Sequence, residues 1–361
     1  MKLKDIVRES RETYKGDMSG IPVVGLEHLI PEEICFSEYE MCSDKTFTKA
    51  FHKGQVLFGR RRAYQKKAAV AHVDGVCSGD IMVLEAIPGK VEPSLLPFII
   101  QNDRFFDYAI QHSEGGLSPR VKWNAIANYE FDLPSIEEQK VLADKLWAAY
   151  KVKESYRQLL STTDEMLKAK FQEMFGDVVN STIHNIAKVV SGKSIPTKLE
   201  DIVGPVAYVK VADFNLEGNE KYITTSSRFV TKENANLSKN VPIGSILFAK
   251  NGAAAMSNKK RLTKIDCCID MNTLAVIPNK AKALPEFLLA FFESINIADH
   301  VRQGAIPSIS PKDIENIALH LPPMELQQKF AEIATQAEAT KTSLRASIEA
   351  IDRVIRSLIN Q

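Results

Sequence analysis

Residues 135–175 and 324–361 contain neither proline nor glycine, and each stretch carries one apolar stripe. In the first, Leu142, Leu146, Ala149, Tyr156, Leu160, Leu167 and Met174 fall on an alternating four-and-three spacing, interrupted by Lys153, Thr163 and Lys170. In the second, the stripe reads Phe330, Ile333, Ala337, Thr340, Leu344, Ser347, Ile351, Val354 and Leu358. This is the period of a helix that presents one face to a partner helix. Phe175-Gly176 supplies a stop, glycine being the residue that most readily adopts the left-handed turn after a last helical residue. Helices this long far exceed the mean of ~11–12 residues. A Lys/Glu-rich helix gains most of its stability from covering its apolar face. The two stretches are therefore expected to zip together as an antiparallel coiled coil.

Both helices open on the same words. Leu133-Pro134-Ser135-Ile136-Glu137-Glu138-Gln139 and Leu321-Pro322-Pro323-Met324-Glu325-Leu326-Gln327 share the pattern Leu-Pro-x-x-Glu-x-Gln. The repeat extends upstream. Gly54-Gln55-Val56-Leu57-Phe58 matches Gly244-Ser245-Ile246-Leu247-Phe248, and Gly116, Val121 and Asn128 match Gly304, Ile309 and Asn316. Residues 22–29 likewise resemble 207–214. A period this long means duplicated domains and not a solenoid. We divide the chain into a globular half over 1–134, a long helix over 135–176, a second globular half over 177–322 and a second long helix over 323–361. The short polar segment 177–181 is a joint. Within the halves, β-branched or alternating runs predict strands at 21–26, 55–58, 80–85, 206–211, 245–249 and 273–277. Helical spacing marks 95–110 and 284–301, with a short turn at 312–316.

Composition adds bounds. The chain has 361 residues, 45% hydrophobic and 25% charged, enough for two or three ordinary cores. No apolar run approaches the ~20 residues of a membrane helix, and the first residues lack a signal-peptide core. The five cysteines, Cys35, Cys42, Cys77, Cys267 and Cys268, form no C-x-x-C pair. That spacing favours neither zinc nor a disulfide framework and suits the reducing cytoplasm. A net charge of +1 excludes binding of a polyanion by bulk charge, though not by local basic loops.

Such loops exist. After the strand ending at Phe58 comes Gly59-Arg60-Arg61-Arg62-Ala63-Tyr64-Gln65-Lys66-Lys67, with five cations and no acid. Arginine is suited to bidentate contact with phosphate or guanine, and an exposed tyrosine to stacking. After the matching strand comes Lys250-Asn251-Gly252-Ala253, then Asn258-Lys259-Lys260-Arg261, read as a second basic loop. A further Gly-rich basic element precedes each long helix: Gly115-Gly116-Leu117-Ser118-Pro119-Arg120-Val121-Lys122 and Arg302-Gln303-Gly304-Ala305-Ile306-Pro307-Ser308. Taken singly, each such loop is as well explained as a solvated turn; their recurrence points to two equivalent sites for one polyanion. Enzyme motifs fail. Gly192-Lys193-Ser194 lacks the leading glycine of a P-loop, Ala187 standing there. The carboxylate–lysine pattern Asp132, Glu138, Lys140 is not duplicated, and the seven histidines are dispersed. No metal site is expected. Both long helices also carry apolar residues off the mutual stripe: Trp147, Tyr150, Leu159, Met166, Phe171 and Phe175 in the first, Ile348, Ile355 and Ile359 in the second. They are expected to be shared between the globular halves and a partner subunit, with Trp147, Tyr150, Leu159, Met166, Phe171, Ile348 and Ile355 as docking residues.

With this order of halves and helices, the doubled Leu-Pro-x-x-Glu-x-Gln openings and the paired Gly-x-Ile/Val-Leu-Phe strands, the chain resembles the specificity (S) subunits of type I restriction–modification systems over essentially its full length. It departs from them after Phe58, where three arginines replace a small-residue turn. The resemblance implies an α+β fold: two pseudo-twofold-related mixed α/β target recognition domains joined by two long antiparallel coiled-coil helices. It implies a non-catalytic, sequence-specific DNA-binding subunit that reads a bipartite, asymmetric double-stranded target. Two methyltransferase (M) subunits would dock on it, and two restriction (R) subunits where the system has them. No cofactor would bind this chain; S-adenosylmethionine would sit on M, and ATP and Mg on R. A helix of ~35–40 residues at ~1.5 Å each spans ~50–60 Å, so the two domains are expected one to one and a half DNA turns of ~34–36 Å apart. The DNA-facing candidates are Arg60, Arg61, Arg62, Tyr64, Lys66, Lys67, Arg120 and Lys122 in the first half. In the second they are Lys193, Ser194, Lys250, Asn251, Lys259, Lys260 and Arg261. The alternatives are a coiled-coil scaffold that binds protein without DNA specificity, and a stand-alone nuclease.

Overall fold

The computed structural model describes residues 1–42, 47–176 and 179–360. Of the expected joint, Asp177 and Val178 lie outside them. The chain divides into two compact units, Met1–Gln158 with Arg345–Gln361, and Leu159–Leu344. Each unit holds one globular lobe and a stretch of both long helices.

The lobes repeat one topology. In the first, an antiparallel sheet runs in the order Val7–Ser10, Ile81–Ala86, Val56–Gly59, Ala68–Val70. In the second, Ala187–Ser191, Thr273–Pro278, Ile246–Ala249 and Lys260–Thr263 take the same order, extended by Tyr222–Ile223. A second sheet in each lobe is built around one parallel pair, Pro22–Val24 with Gly75–Cys77 and Val206–Val209 with Cys267–Ile269. The central strands Val56–Gly59 and Ile246–Ala249 are buried throughout, as their unbroken apolar runs require. The glycines that introduce them, Gly54 and Gly244, both sit at φ +90°, where any other residue would be strained. This accounts for the glycine in the repeated strand motif.

Several strands are invisible to periodicity because they are short and polar. Asn258-Lys259-Lys260-Arg261, expected as a loop, instead leads into the strand Lys260–Thr263, paired on both sides. The expected helix over 95–110 is two helices, Leu96–Ile100 and Asp103–Gln111. Between them Asn102 leaves the helical conformation and caps the second by accepting the Arg104 N–H. The helix over 284–301 ends at Ser294, and a 3-10 turn follows at Ile297–His300.

The long helices run over Ile136–Phe175 and Met324–Ile359, and Gly176 closes the first at φ +54°. In the second unit they are antiparallel: Asp164 pairs with Lys341, while further along Phe171 and Phe175 pack on Phe330. The stripe differs from expectation at its polar positions. Lys153 and Thr163, read as interruptions, are buried members of it. On the second helix Thr340 and Val354 face solvent, and Lys341 and Ile355 take their places one position on. Lys153 Nζ meets Asp352 at 2.8 Å and Glu33 at 3.6 Å; Lys341 Nζ meets Asp164 at 2.7 Å and Glu338 at 2.6 Å. Lys153 and Lys341, like Asp164 and Asp352, correspond under the same offset that carries Leu133 to Leu321. The repeat therefore includes a cross-helix ion pair in each unit, with a buried lysine and a partly exposed aspartate.

The repeated glutamine has an equally specific role. Gln327 is fully buried; its Oε1 accepts the Leu284 N–H at 2.9 Å, and its Nε2 donates to the Lys282 and Pro322 carbonyls at 3.0 and 2.9 Å. Gln139 makes the matching bonds to Glu92 N–H and Pro134 O, both at 2.9 Å. Each glutamine ties a helix start to its lobe. Gln327→Leu strands three backbone groups, so it is expected to destabilise the second unit by at least ~2 kcal/mol in urea denaturation of the full chain. A smaller loss would mean that water replaces the amide.

Candidate nucleic-acid interface

The two kinds of basic element meet in each lobe. In the first, the Arg62 N–H donates to Pro119 O at 2.8 Å and the Val121 N–H to Arg60 O at 3.0 Å. In the second, the Gly252 N–H donates to Pro307 O at 2.8 Å and the Ile309 N–H to Lys250 O at 3.0 Å. The same two backbone bonds thus clamp the loop after the central strand to the loop before the helix, once per lobe. An isolated bridge pair sits inside each clamp, Arg61 with Arg120 and Asn251 with Ser308.

Side chains brace the junction. In the first lobe Asp80 receives Arg120 at 2.7 Å and Arg61 at 3.3 Å, and Arg61 Nε also donates to Ser118 Oγ at 2.5 Å. The Arg120 guanidinium, with Arg61 beside it, holds the Asp80 carboxyl below its usual range. Lys122 reaches Glu114 at 2.6 Å. In the second lobe Arg302 pairs with Asp313 at 2.6 Å. A buried Nε without a protein partner occurs on both Arg60 and Arg62, although their guanidinium groups are only partly buried. A 680 Å³ cleft beside the first junction is lined by Arg11, Lys49, Arg60, Lys122, Trp123 and Asn124, with Glu9 and Glu12 on its wall. Of these, Arg11, Lys49, Trp123 and Asn124 escaped sequence reasoning, none of them lying in the basic runs that mark the other candidates.

The other candidates divide. Tyr64, Arg120, Lys122, Lys193, Ser194 and Lys259 are exposed. Lys66 is drawn to Asp103 at 2.5 Å and Lys67 to the Leu26 carbonyl at 2.7 Å, so both partly serve the lobe's own structure. Lys250 approaches Ser191 Oγ at 3.2 Å, and Asn251 donates to Asn272 at 3.0 Å. Lys260 is not a surface cation. It is 8% exposed, and its Nζ donates to Asn258 Oδ1 and Ile295 O at 2.6 and 2.9 Å. Burial pulls its pKa down to about 8. Arg261 is half-buried, folded onto the Phe214 carbonyl at 2.9 Å, and burial lowers its pKa too. Both follow from Lys260–Thr263 being a strand.

The docking candidates are mostly covered by their own chain. Trp147 donates to the Ser94 carbonyl at 2.7 Å and packs edge-on to Phe98; Tyr150, Phe171 and Ile355 are buried, and Ile348 is half-buried. Leu159 and Met166, seven positions apart on the first helix, remain exposed.

Set against known proteins, residues 176–353 match the family described as the type I restriction modification DNA specificity domain. No curated protein matches the chain. Among solved structures, one from a study of complex assembly and conformational transition of the type I R-M system superimposes with a TM-score of 0.58 at 18% identity, over 100% of this chain and 98% of that one. The type I restriction-modification S subunit from M. genitalium superimposes with a TM-score of 0.62 at 11% identity, over 99% and 94%. The fold is that of these two solved structures, and the paired loop junctions occur once in each lobe. Residues 176–353 thus have the sequence of a type I restriction modification DNA specificity domain, and the first lobe repeats the topology of the matched half. Among the described residues no helix is long and apolar enough to cross a membrane.

Proposed function

We propose that this chain reads a bipartite, asymmetric DNA target, one part per lobe, for a type I restriction–modification complex. The observation that carries the reading is the twin loop junction, the same two backbone bonds in each lobe bringing cationic residues together. The residues around the two junctions differ, Arg60–Arg62 against Lys250–Gly252, so the two parts of the target differ. Arg60, Arg62, Arg120 and Lys122 contact DNA in the first lobe; Lys193, Ser194, Lys250, Asn251 and Lys259 do so in the second. Phosphate contacts position the lobes, and contacts to base edges specify the sequence. The chain itself performs no chemistry. Two M subunits dock along the long helices, where the exposed Leu159 and Met166, seven positions apart, offer an apolar strip. They supply S-adenosylmethionine and methylate adenine, and R subunits, where the system includes them, bring ATP and Mg.

Methylome sequencing of the host with and without this chain tests the reading. The expected result is a split adenine motif, two short defined parts around unspecified bases, methylated only when the chain is present. An identical methylome in both strains would sink it.

A further inference from the structure

Leu117 is 99% exposed, more than any other large apolar side chain among the described residues. It stands at the tip of the loop before the first long helix. In the second lobe Ile306, 71% exposed, stands at the tip of the corresponding loop. Isolated exposed aliphatic residues need no explanation. These differ in recurring beside both junctions, in loops that are anchored. Pro119 O and Pro307 O, just past the tips, accept the clamping N–H groups, and Arg61 holds Ser118. Gly115, at φ +110°, takes the first loop through a conformation that favours glycine. With the backbone anchored just past the tip, burying the tip orders chiefly the aliphatic side chain itself.

From this we propose that Leu117 and Ile306 are apolar probes that enter a DNA groove and pack on base pairs, one in each part of the target. The inference rests on the DNA reading above. Charge selects DNA over an apolar protein groove as the occupant. Leu117 shares its junction with Arg60 and Arg62, which form no ion pair among the described residues, and with Arg120 and Lys122, which are paired with Asp80 and Glu114. Ile306 shares its own with Lys250 and with Arg302, which is paired with Asp313. Such a surround suits phosphates flanking a groove and opposes docking into a hydrophobic protein surface. Aliphatic side chains that reach bases contact the thymine methyl group or wedge between base steps.

The test uses the full chain purified from its host with the subunits that accompany it, and a random-sequence duplex pool. Leu117 and Ile306 are each replaced by the photocrosslinker p-benzoylphenylalanine, with Ile202, 70% exposed and remote in sequence from both loops, as control. Adducts from 117 and 306 that map to bases, and none from 202, are expected. The double variant Leu117→Ala/Ile306→Ala is expected to bind about tenfold more weakly with an unchanged salt slope, because apolar contact releases no counterions. Both side chains lie in solvent, so the variants keep the fold. If the wild-type complex holds the duplex in a salt-dependent way while 117 and 306 yield no adduct and the double variant binds equally well, the probes are overturned and the DNA reading survives. Adducts in the cell to protein instead of DNA overturn them too. A wild-type complex that does not retain the duplex at low salt overturns the DNA reading, and the probes with it.

Discussion

Replacing Asp164 and Glu338 together by alanine is expected to destabilise the second unit by about 3–5 kcal/mol, whereas Lys341→Met alone is expected to cost little. The asymmetry follows from where the charges lie. The Lys341 side chain is 2% exposed, and its ammonium is held by Asp164 and Glu338. Without both carboxylates it is a buried charge with no counter-ion. Removing the lysine instead leaves Asp164 half in solvent and Glu338 still paired with Lys221 at 2.8 Å. The pH dependence has a defined sign. Burial pulls the Lys341 pKa down, but hydrogen bonds and charge from Asp164 and Glu338 outweigh it and leave the pKa raised. The lysine's contribution is therefore complete below its unfolded value and fades only as pH rises through the raised one. Glu338 is buried, which pushes its pKa up, but Lys221 and Lys341 hold it below the usual carboxylate value. Its contribution is present above the unfolded carboxylate pKa and fades as pH falls through the depressed one. Urea denaturation of the full chain between neutral and acid pH measures this; wild type should lose stability on acidification more steeply than Lys341→Met. Equal pH profiles would show that the pair contributes nothing.

The helices were readable from sequence because their signal is long and redundant: absent proline and glycine, a seven-residue stripe, a shared opening. Their polar members were not. A lysine at a stripe position looks like a fault until its carboxylate partner is known, and that partner lies on the other helix. Asp352 and Asp164 have nothing in their own neighbourhoods to mark them. The shift from Thr340 to Lys341 has the same origin. Periodicity ranks threonine above lysine for burial, and only the cross-helix pair reverses the order.

The site was half readable. The repeat identified both classes of basic loop, but which residues meet depends on two backbone bonds between segments far apart in sequence, as from Arg62 to Pro119. Burial was the larger difficulty. Asn258-Lys259-Lys260-Arg261 reads as a charged loop because three of its four residues are cations. The sheet nevertheless takes Lys260 inward, where Asn258 Oδ1 and the Ile295 carbonyl replace water. Likewise Trp147 and Phe171 looked surplus to the stripe because the lobe surfaces that cover them, at Phe98 and Phe287, come from distant segments.

Arg60→Ala/Arg62→Ala is expected to weaken DNA binding roughly thirtyfold near physiological salt and to lower the slope of log affinity against log salt by about 1.8, if both arginines contact phosphate. These two are chosen over Arg61 and Arg120, which already share Asp80 and whose loss would loosen the junction itself. Among the described residues neither Arg60 nor Arg62 is drawn into an ion pair, and both side chains are partly exposed, so their terminal guanidinium nitrogens can meet DNA. Slope and affinity together separate the possible contacts. Bidentate contact with guanine would lower affinity by ~1–3 kcal/mol per arginine for the cognate sequence, with little change in non-specific binding. Phosphate contact would weaken all sequences alike and flatten the salt dependence. Lys260→Met is the internal comparison. Its ammonium is buried under the sheet, so the substitution should alter stability and leave the salt slope as in wild type. Unchanged affinity and slope in the arginine pair would take the Arg60–Arg62 junction out of the DNA interface, and a slope reduced by Lys260→Met would place that ammonium in the interface instead of the interior.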